Sequence, residues 1–240
     1  VHTLRLRPSV AATPGRIRIA VLGAGGFARS THLPNLRDLG DRFALQAVVS
    51  LEGHGAAAVG RQFGAAYAST DSQAVLADPE VDAVLIATRH HLHAPLALAA
   101  LRAGKHVLVE KPLAQTFADL GQIVRLQRQS GLVVGTFLEL RHSTLWRRVK
   151  AILESGEIGQ VHAVSLVDLV GRDRAQFFGR RRGRSREVMV SLVLQKGVHC
   201  LDLMNWFVGS SPRRLAAMGR LAHFGGDQPA DKRCRDCGTR

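Results

Sequence analysis

The sequence predicts an α/β protein in which a doubly wound parallel sheet is followed by a second, smaller α/β domain. Three observations carry this. At RIRIAVLGAGGFARSTHLPNL (16–36) an apolar strand runs through a glycine turn into a helix. From there to residue 138, short apolar runs alternate with helix-period segments. Beyond residue 138 the pattern changes to a helix at 146–156, a strand at 160–169, a basic loop, a helix around 195–208 and a strand at 213–224.

The elements follow in order. Residues 1–15 contain Arg and Pro but no apolar block, so they are set aside as a loose leader without a secretory signal. Ile17, Ile19, Val21 and Leu22 make the first strand, and Gly23-Ala24-Gly25-Gly26-Phe27-Ala28 fits G-x-G-x-x-[G/A]. In that pattern Gly23 permits the tight turn and Gly25 lets the backbone approach a pyrophosphate seated on the helix N-terminus. Ala28 is small enough for the helix to pack closely on the strand.

FALQAVVS (43–50) is the second strand. A dinucleotide fold usually ends this strand with an acidic residue that accepts from the adenosine ribose. Ser50 stands there, followed by Leu51 and Glu52. Without a carboxylate to repel a 2′-phosphate, the position leans slightly to NADP over NAD, with Arg61 as a candidate partner for the phosphate. Glu52 remains able to reach a ribose.

The segment 54–64 is a helix ending at Gly64, 65–69 a short strand, and 71–78 a short helix with Asp71 as N-cap. VDAVLIAT (81–88) is a buried strand followed by RHHLH, and 94–104 is a helix with Pro95 in its first turn and Gly104 past its end. HVLVEKP is the next strand, then a helix at 117–131 and a strand at 132–138. Strands separated by helices of this length form a parallel sheet. Its ligands bind outside the carboxyl ends of the strands. Gly23–Ala28, Ser50, Thr88–His93 and Glu110–Pro112 therefore share one edge. A lysine closing a buried strand is costly unless its charge is used nearby, and this placement turns Lys111 toward a cofactor crevice.

The bulk numbers bound the rest. Aromatic residues are only 5%, so the core must rest on Ala, Val and Leu. No apolar run approaches the roughly 20 residues that span a bilayer. Lys and Arg number 33 against 19 acidic residues, a net charge of +14, and GRDRAQFFGRRRGRSR (171–186) holds much of that excess. Such a surplus raises a basic nucleic-acid-binding module as one reading. No zinc-finger, RRM or homeodomain pattern surrounds it, and an anion-facing or solvated loop is preferred, with neither nucleic acid nor membrane as partner. Three cysteines cannot all pair, which fits a reducing cytoplasm. Cys234 and Cys237 form half of a zinc site without a second half, and the clustered His90, His91 and His93 lack an accompanying carboxylate or cysteine. No metal is expected.

The sequence resembles the glucose–fructose oxidoreductase, inositol dehydrogenase and rhizopine catabolism family (Gfo/Idh/MocA). AVLGAGGFA, then DPEVDAVLIATRHHLHAPLALAALRAGKHVLVEKPLA, SGEIG (155–159) and KGVHCLDLMNWFVG (196–209) carry the resemblance, over roughly residues 16–225. It implies a Rossmann-type NAD(P)-binding domain at 16–138 and a substrate and oligomerisation domain with an open, mostly antiparallel sheet, here partial, at 139–240. The implied reaction is hydride transfer between NAD or NADP and a hydroxyl or ketone carbon of a sugar, cyclitol or related polyol. A homo-oligomer built through the C-terminal sheet is compatible with it.

The resemblance also implies roles. Lys111 lies beside the nicotinamide and the substrate hydroxyl, with the Lys111–Pro112 bond often cis, and Glu110 steadies the cofactor or the lysine. Thr88 and His91 border the nicotinamide, and His93 positions the following helix. His199 is the second catalytic candidate, and Lys196, in a K-x-x-H arrangement with it, contacts a substrate hydroxyl. The family commonly has Asp four residues before this histidine, where this chain has Gln195; Asp202 is a candidate to compensate. Arg141, in FLELRHSTLW, is a candidate substrate or cofactor contact. Members are usually longer, and RCRDC resembles the start of an insertion found in some of them. The alternative reading is therefore a truncated, inactive cofactor-binding remnant or a regulatory partner.

Overall fold

The computed structural model describes residues 2–9, 11–171, 187–188 and 190–219. Its elements divide into two units, residues 1–137 and 138–240. The Arg-rich segment beyond Gly171 up to 186, and Cys234 and Cys237, lie outside the described residues.

The first unit is a seven-stranded sheet in the order β1-β4-β3-β2-β5-β6-β7. Its strands are β1 (Thr3–Arg5), β2 (Ile17–Leu22), β3 (Phe43–Val49), β4 (Tyr67–Ser69), β5 (Ala83–Ile86), β6 (His106–Val109) and β7 (Val134–Thr136). All neighbours from β4 to β7 pair in parallel. The order reverses at β2, between β3 and β5, which is the switch point of a doubly wound sheet.

The strands are apolar throughout because both faces are covered. Along β2, Ile19 and Val21 join Ala28, Leu33, Val48 and Val59 on one face. Ala20 and Leu22 join Val75, Leu98, Leu101 and Ile123 on the other. The first layer comprises a π turn (Ala28–His32) running into α1 (Leu33–Asp38), with α2 (Gly53–Phe63). The opposite layer holds α3 (Ser72–Leu76), α4 (His90–Arg102) and α5 (Phe117–Ser130). Fully burying one such Val, Leu or Ile contributes about 1.5–3 kcal/mol, so the alternation along β2 fixes both layers at once.

Caps set the helix limits. Asp71 accepts from the Gln73 and Ala74 N–H groups at 2.8 and 3.2 Å. Gly64 and Gly131 end α2 and α5 in the left-handed conformation.

Two expectations for this unit change. The leader is not loose: Thr3–Arg5 pairs antiparallel with β4, Leu6 packs against Ala56, Ala57 and Ala68, and the edge of the sheet gains a strand. Helix α4 begins at His90, a full turn before Ala94. Pro95 therefore lies inside the helix, and the histidines occupy its first turn.

In the second unit, a 3₁₀ turn (Glu139–His142) leads into α6 (Thr144–Ser155). A second π turn (Val193–Gly197) runs into α7 (Val198–Val208). Leu203 and Phe207 are buried, and the Phe207 ring meets Trp146 of α6 at 5.8 Å. Of the antiparallel sheet expected here, residues 160–170 carry no regular secondary structure and form no ladder with any described strand. The described part of the strand expected at 213–224, residues 213–219, is likewise without a ladder. An extended segment becomes a strand only when another chain segment satisfies its N–H and C=O groups.

Candidate functional site

The carboxyl ends of β3, β2, β5 and β6 are adjacent in the sheet, so the turns leaving them form one edge. The glycine turn is wedged into it. Gly23 has φ of 103°, and a Cβ there would stand 2.7 Å from the Ala87 carbonyl oxygen. Its N–H and that of Ala24 donate to the Val49 carbonyl at 2.9 and 3.2 Å. The turn is thus packed between the ends of β3 and β5, and only glycine satisfies Gly23's conformation and spacing together. Gly25 and Gly26 are the converse: both are exposed, and a Cβ on either would meet nothing within 4 Å. That open side, at the start of a helix, fits a pyrophosphate approaching the backbone. Phe27 is exposed beside it, while Ala28 is buried against the sheet as its size allows.

Ser50 ends β3, half-buried, its N–H donating to the Ser69 carbonyl at 3.2 Å. Glu52 is exposed at the N-cap of α2. Arg61 is in the last turn of α2. At 1.5 Å per residue that places it about 12 Å from the helix start, at the wrong end to serve the ribose position.

Thr88 and His91 are half-buried at the end of β5 and in the first turn of α4. The His91 Nδ1 atom is buried without a hydrogen-bond partner among the described residues. His93 is wholly buried, with Nδ1 2.8 Å from the Pro112 carbonyl and Nε2 3.2 Å from the Thr88 carbonyl. Burial holds its pKa below the ordinary histidine value, with the carbonyl contacts opposing. A neutral ring donates to one of these carbonyls only. His90 packs on the His93 ring at 5.5 Å, and its pKa is pushed down to about 4, first by burial and then by electrostatic interaction with His93 and Lys111.

Strand β6 delivers Glu110, Lys111 and Pro112 to the same edge. Lys111 is half-buried and its bond to Pro112 is cis. Glu110 is buried, and its Oε1 lies 2.7 Å from Nε2 of His32, which is also buried. Sequence reading missed His32. Its signal was position: it lies in the helical segment that leaves the glycine turn, close to the sheet edge where the other candidates gather.

The second unit gathers other candidates. His199 is buried in the first turn of α7, and its Nδ1 faces Oε2 of Glu139 at 3.6 Å. Asp202 is not free to compensate for Gln195, because the Arg141 guanidinium holds both of its oxygens, at 2.7 and 2.6 Å. The aspartate raises the Arg141 pKa further, and the guanidinium also lies over the Trp206 ring at 5.6 Å. Arg141 therefore ties the 3₁₀ turn to α7 within this unit. Gln195 lies in the π turn, where the i,i+4 facing expected of an α-helix does not carry over. Lys196 is half-buried in that same turn. Glu139 is a second residue that sequence reading passed over.

A switch-point edge with a glycine turn open to a pyrophosphate defines a dinucleotide-binding protein. The chain belongs to the Gfo/Idh/MocA family: residues 17–137 match the model of its oxidoreductase domain with the NAD-binding Rossmann fold. Residues 146–233 match the model of a GFO/IDH/MocA C-terminal domain. Among curated relatives, the chain is 31% identical over 208 residues to the 1,5-anhydro-D-fructose reductase of Ensifer adhaerens, an alignment covering 87% of this chain and 61% of that protein. It is 37% identical over 204 residues to the dTDP-3,4-didehydro-2,6-dideoxy-alpha-D-glucose 3-reductase of Streptomyces violaceoruber, covering 85% and 58%. Among solved structures, KijD10, a 3-ketoreductase from Actinomadura kijaniata in complex with NADP and TDP-benzene, superposes with a TM-score of 0.68 at 28% identity, over 80% of this chain and 57% of that one. The chain spans about three fifths of the length of these curated relatives. Among the described residues, no helix is long and apolar enough to cross a membrane.

Proposed function

We propose that the protein to which this chain belongs transfers a hydride between a nicotinamide dinucleotide and a hydroxyl or ketone carbon of a sugar, cyclitol or related polyol. One observation carries the reading: Lys111 is delivered by β6 to the same sheet edge as the glycine turn. Its relatives' names, a sugar reductase and a deoxysugar 3-reductase, supply the substrate class.

When bound, the nicotinamide supplies or accepts the hydride. Gly23 shapes the turn, and Gly25, Gly26, Phe27 and Ala28 accommodate the pyrophosphate. Ser50 faces the adenosine ribose, and the missing carboxylate there supports NADP, in keeping with the NADP in KijD10. Thr88 and His91 line the nicotinamide side, and the buried His93 positions the helix that carries His91. In the reductive direction the Lys111 ammonium donates its proton to the substrate oxygen as the carbonyl carbon gains hydride, leaving a neutral amine; in oxidation that neutral amine takes the hydroxyl proton as the carbon loses hydride. From the second unit, His199 acts as acid or base, with Glu139 in place of the aspartate of other members. Lys196 contacts a substrate hydroxyl. Arg141 serves through Asp202.

Calorimetric titration with NADP(H) and NAD(H), followed by a sugar and cyclitol screen, tests this. Micromolar binding with a preference for NADP is expected. Lys111→Met should keep binding within a few-fold and lower turnover by about 10²-fold or more. Full turnover in that variant would remove Lys111 from the mechanism.

A further inference from the structure

Glu110 is buried at the end of β6 with basic groups around it. Nε2 of His32 is 2.7 Å from its Oε1, and its charge favours the protonated forms of His90 and His93. His32 is 6% exposed and Glu110 9%. Their positions in the sequence are 78 apart, so the contact joins two otherwise separate pieces of the sheet edge.

His32 is held in turn. It closes the π turn at Ala28–His32, in which the Leu33 N–H reaches back to the Ala28 carbonyl. Its ring meets Phe27 edge-on at 5.2 Å and Phe137 at 4.7 Å. π turns recur at functional positions because the extra residue redirects one side chain without breaking the helix. Here the redirected side chain reaches from the glycine-turn helix to the strand end that carries Lys111.

The direction of that reach matters. In a doubly wound sheet a dinucleotide lies across the switch point, with its adenosine ribose at the end of β3 and its pyrophosphate on the β2 turn. The other half extends toward β5 and β6. We propose that His32 is a positioning residue for the nicotinamide half: by hydrogen bonding to Glu110 it holds the Glu110–Lys111–Pro112 turn in fixed register with the glycine turn. This rests on the dinucleotide reading above. A buried, charge-assisted hydrogen bond fixes geometry as well as contributing stability. A displacement of the strand end by about 1 Å would misplace a bound ring relative to Lys111.

The test separates the two halves of the ligand. Wild type, His32→Leu and His32→Gln are titrated with NADPH, NADH and 2′,5′-ADP, and each is melted. In His32→Leu the dissociation constants for the dinucleotides should rise about tenfold, while that for 2′,5′-ADP changes less than twofold. His32→Gln, whose amide can donate to Glu110, should return to within about threefold of wild type. Equal loss of both ligand types, or no loss, in a folded His32→Leu protein overturns the inference and leaves the dinucleotide reading standing. Absence of binding by wild type overturns both. Should His32→Leu fail to fold, Glu110→Gln makes the same comparison without a change of size: selective dinucleotide loss supports the latch, and equal or no loss overturns it.

Discussion

Arg141 holds Asp202 through two parallel hydrogen bonds, 2.7 and 2.6 Å long, and the aspartate side chain is only 12% exposed. A fork-to-fork pair of this kind is specific to arginine. Removing the guanidinium leaves a largely buried carboxylate without its partner. Arg141→Ala should therefore lower the stability of the second unit by about 1–3 kcal/mol, and Arg141→Lys should recover less than half of that loss. Asp202→Asn should be milder, because the amide still accepts from one arm. Urea unfolding followed by Trp fluorescence, with Trp146 and Trp206 both in this unit, reads the effect. Equal stability in all three variants would show that the pair contributes nothing.

The first unit was legible in the sequence where local pattern and burial agree. The run from Ile17 to Ala28 combines an apolar strand, a glycine demanded by backbone geometry and a small residue facing the sheet, each visible locally. What stayed hidden depends on chain segments distant in sequence. Thr3–Arg5 is exposed throughout and becomes a strand only because β4 offers an open edge. The His32–Glu110 and Arg141–Asp202 contacts join residues 78 and 61 positions apart. Spacing arguments reach only a turn or two, which is why Asp202 looked like a partner for His199 and Glu139 did not. The π turn adds to this, since facing rules assume 3.6 residues per turn.

Glu139 gives the clearest catalytic prediction for the second unit. Its Oε2 faces the His199 Nδ1 at 3.6 Å, beyond hydrogen-bond length, and its side chain is 62% exposed, so it acts on the ring as a solvent-screened charge. Glu139→Gln should reduce kcat by about 3- to 10-fold, well under the 10²-fold or more expected for His199→Ala. Cofactor affinity should not move if Glu139 acts through His199 alone. Steady-state kinetics beside calorimetric titration separate the two. A change in Kd with kcat intact would contradict the assignment.

His90 predicts a pH dependence of stability. Its pKa falls from 6.5 to about 4 on folding, chiefly through burial. The unfolded chain then binds more protons than the folded one between those values, so stability from this group is complete above pH 6.5 and is lost as pH falls toward 4. Wild type should melt at lower temperature at pH 4.5 than at pH 7.5, and His90→Asn should show a smaller drop over the same interval. Thermal melts at five or six pH values read this directly. An identical drop in the variant would assign the acid sensitivity to other groups.

The glycine turn separates folding from binding. At Gly23 a side chain meets backbone at 2.7 Å and requires φ of 103°, so Gly23→Ala strains the fold itself. A loss of about 1–3 kcal/mol or more is expected, with a lower melting temperature whether or not ligand is present. At Gly25 a Cβ meets nothing within 4 Å and φ is ordinary, so Gly25→Ala should melt within about 2 °C of wild type. Yet that Cβ projects into the space where a pyrophosphate would approach the backbone, and dinucleotide affinity should fall by about tenfold or more. Melting curves with and without NADPH give both quantities in one experiment, because ligand that binds only the folded state raises the melting temperature. A Gly25→Ala protein that is stable and still stabilised by NADPH would move the pyrophosphate away from this turn.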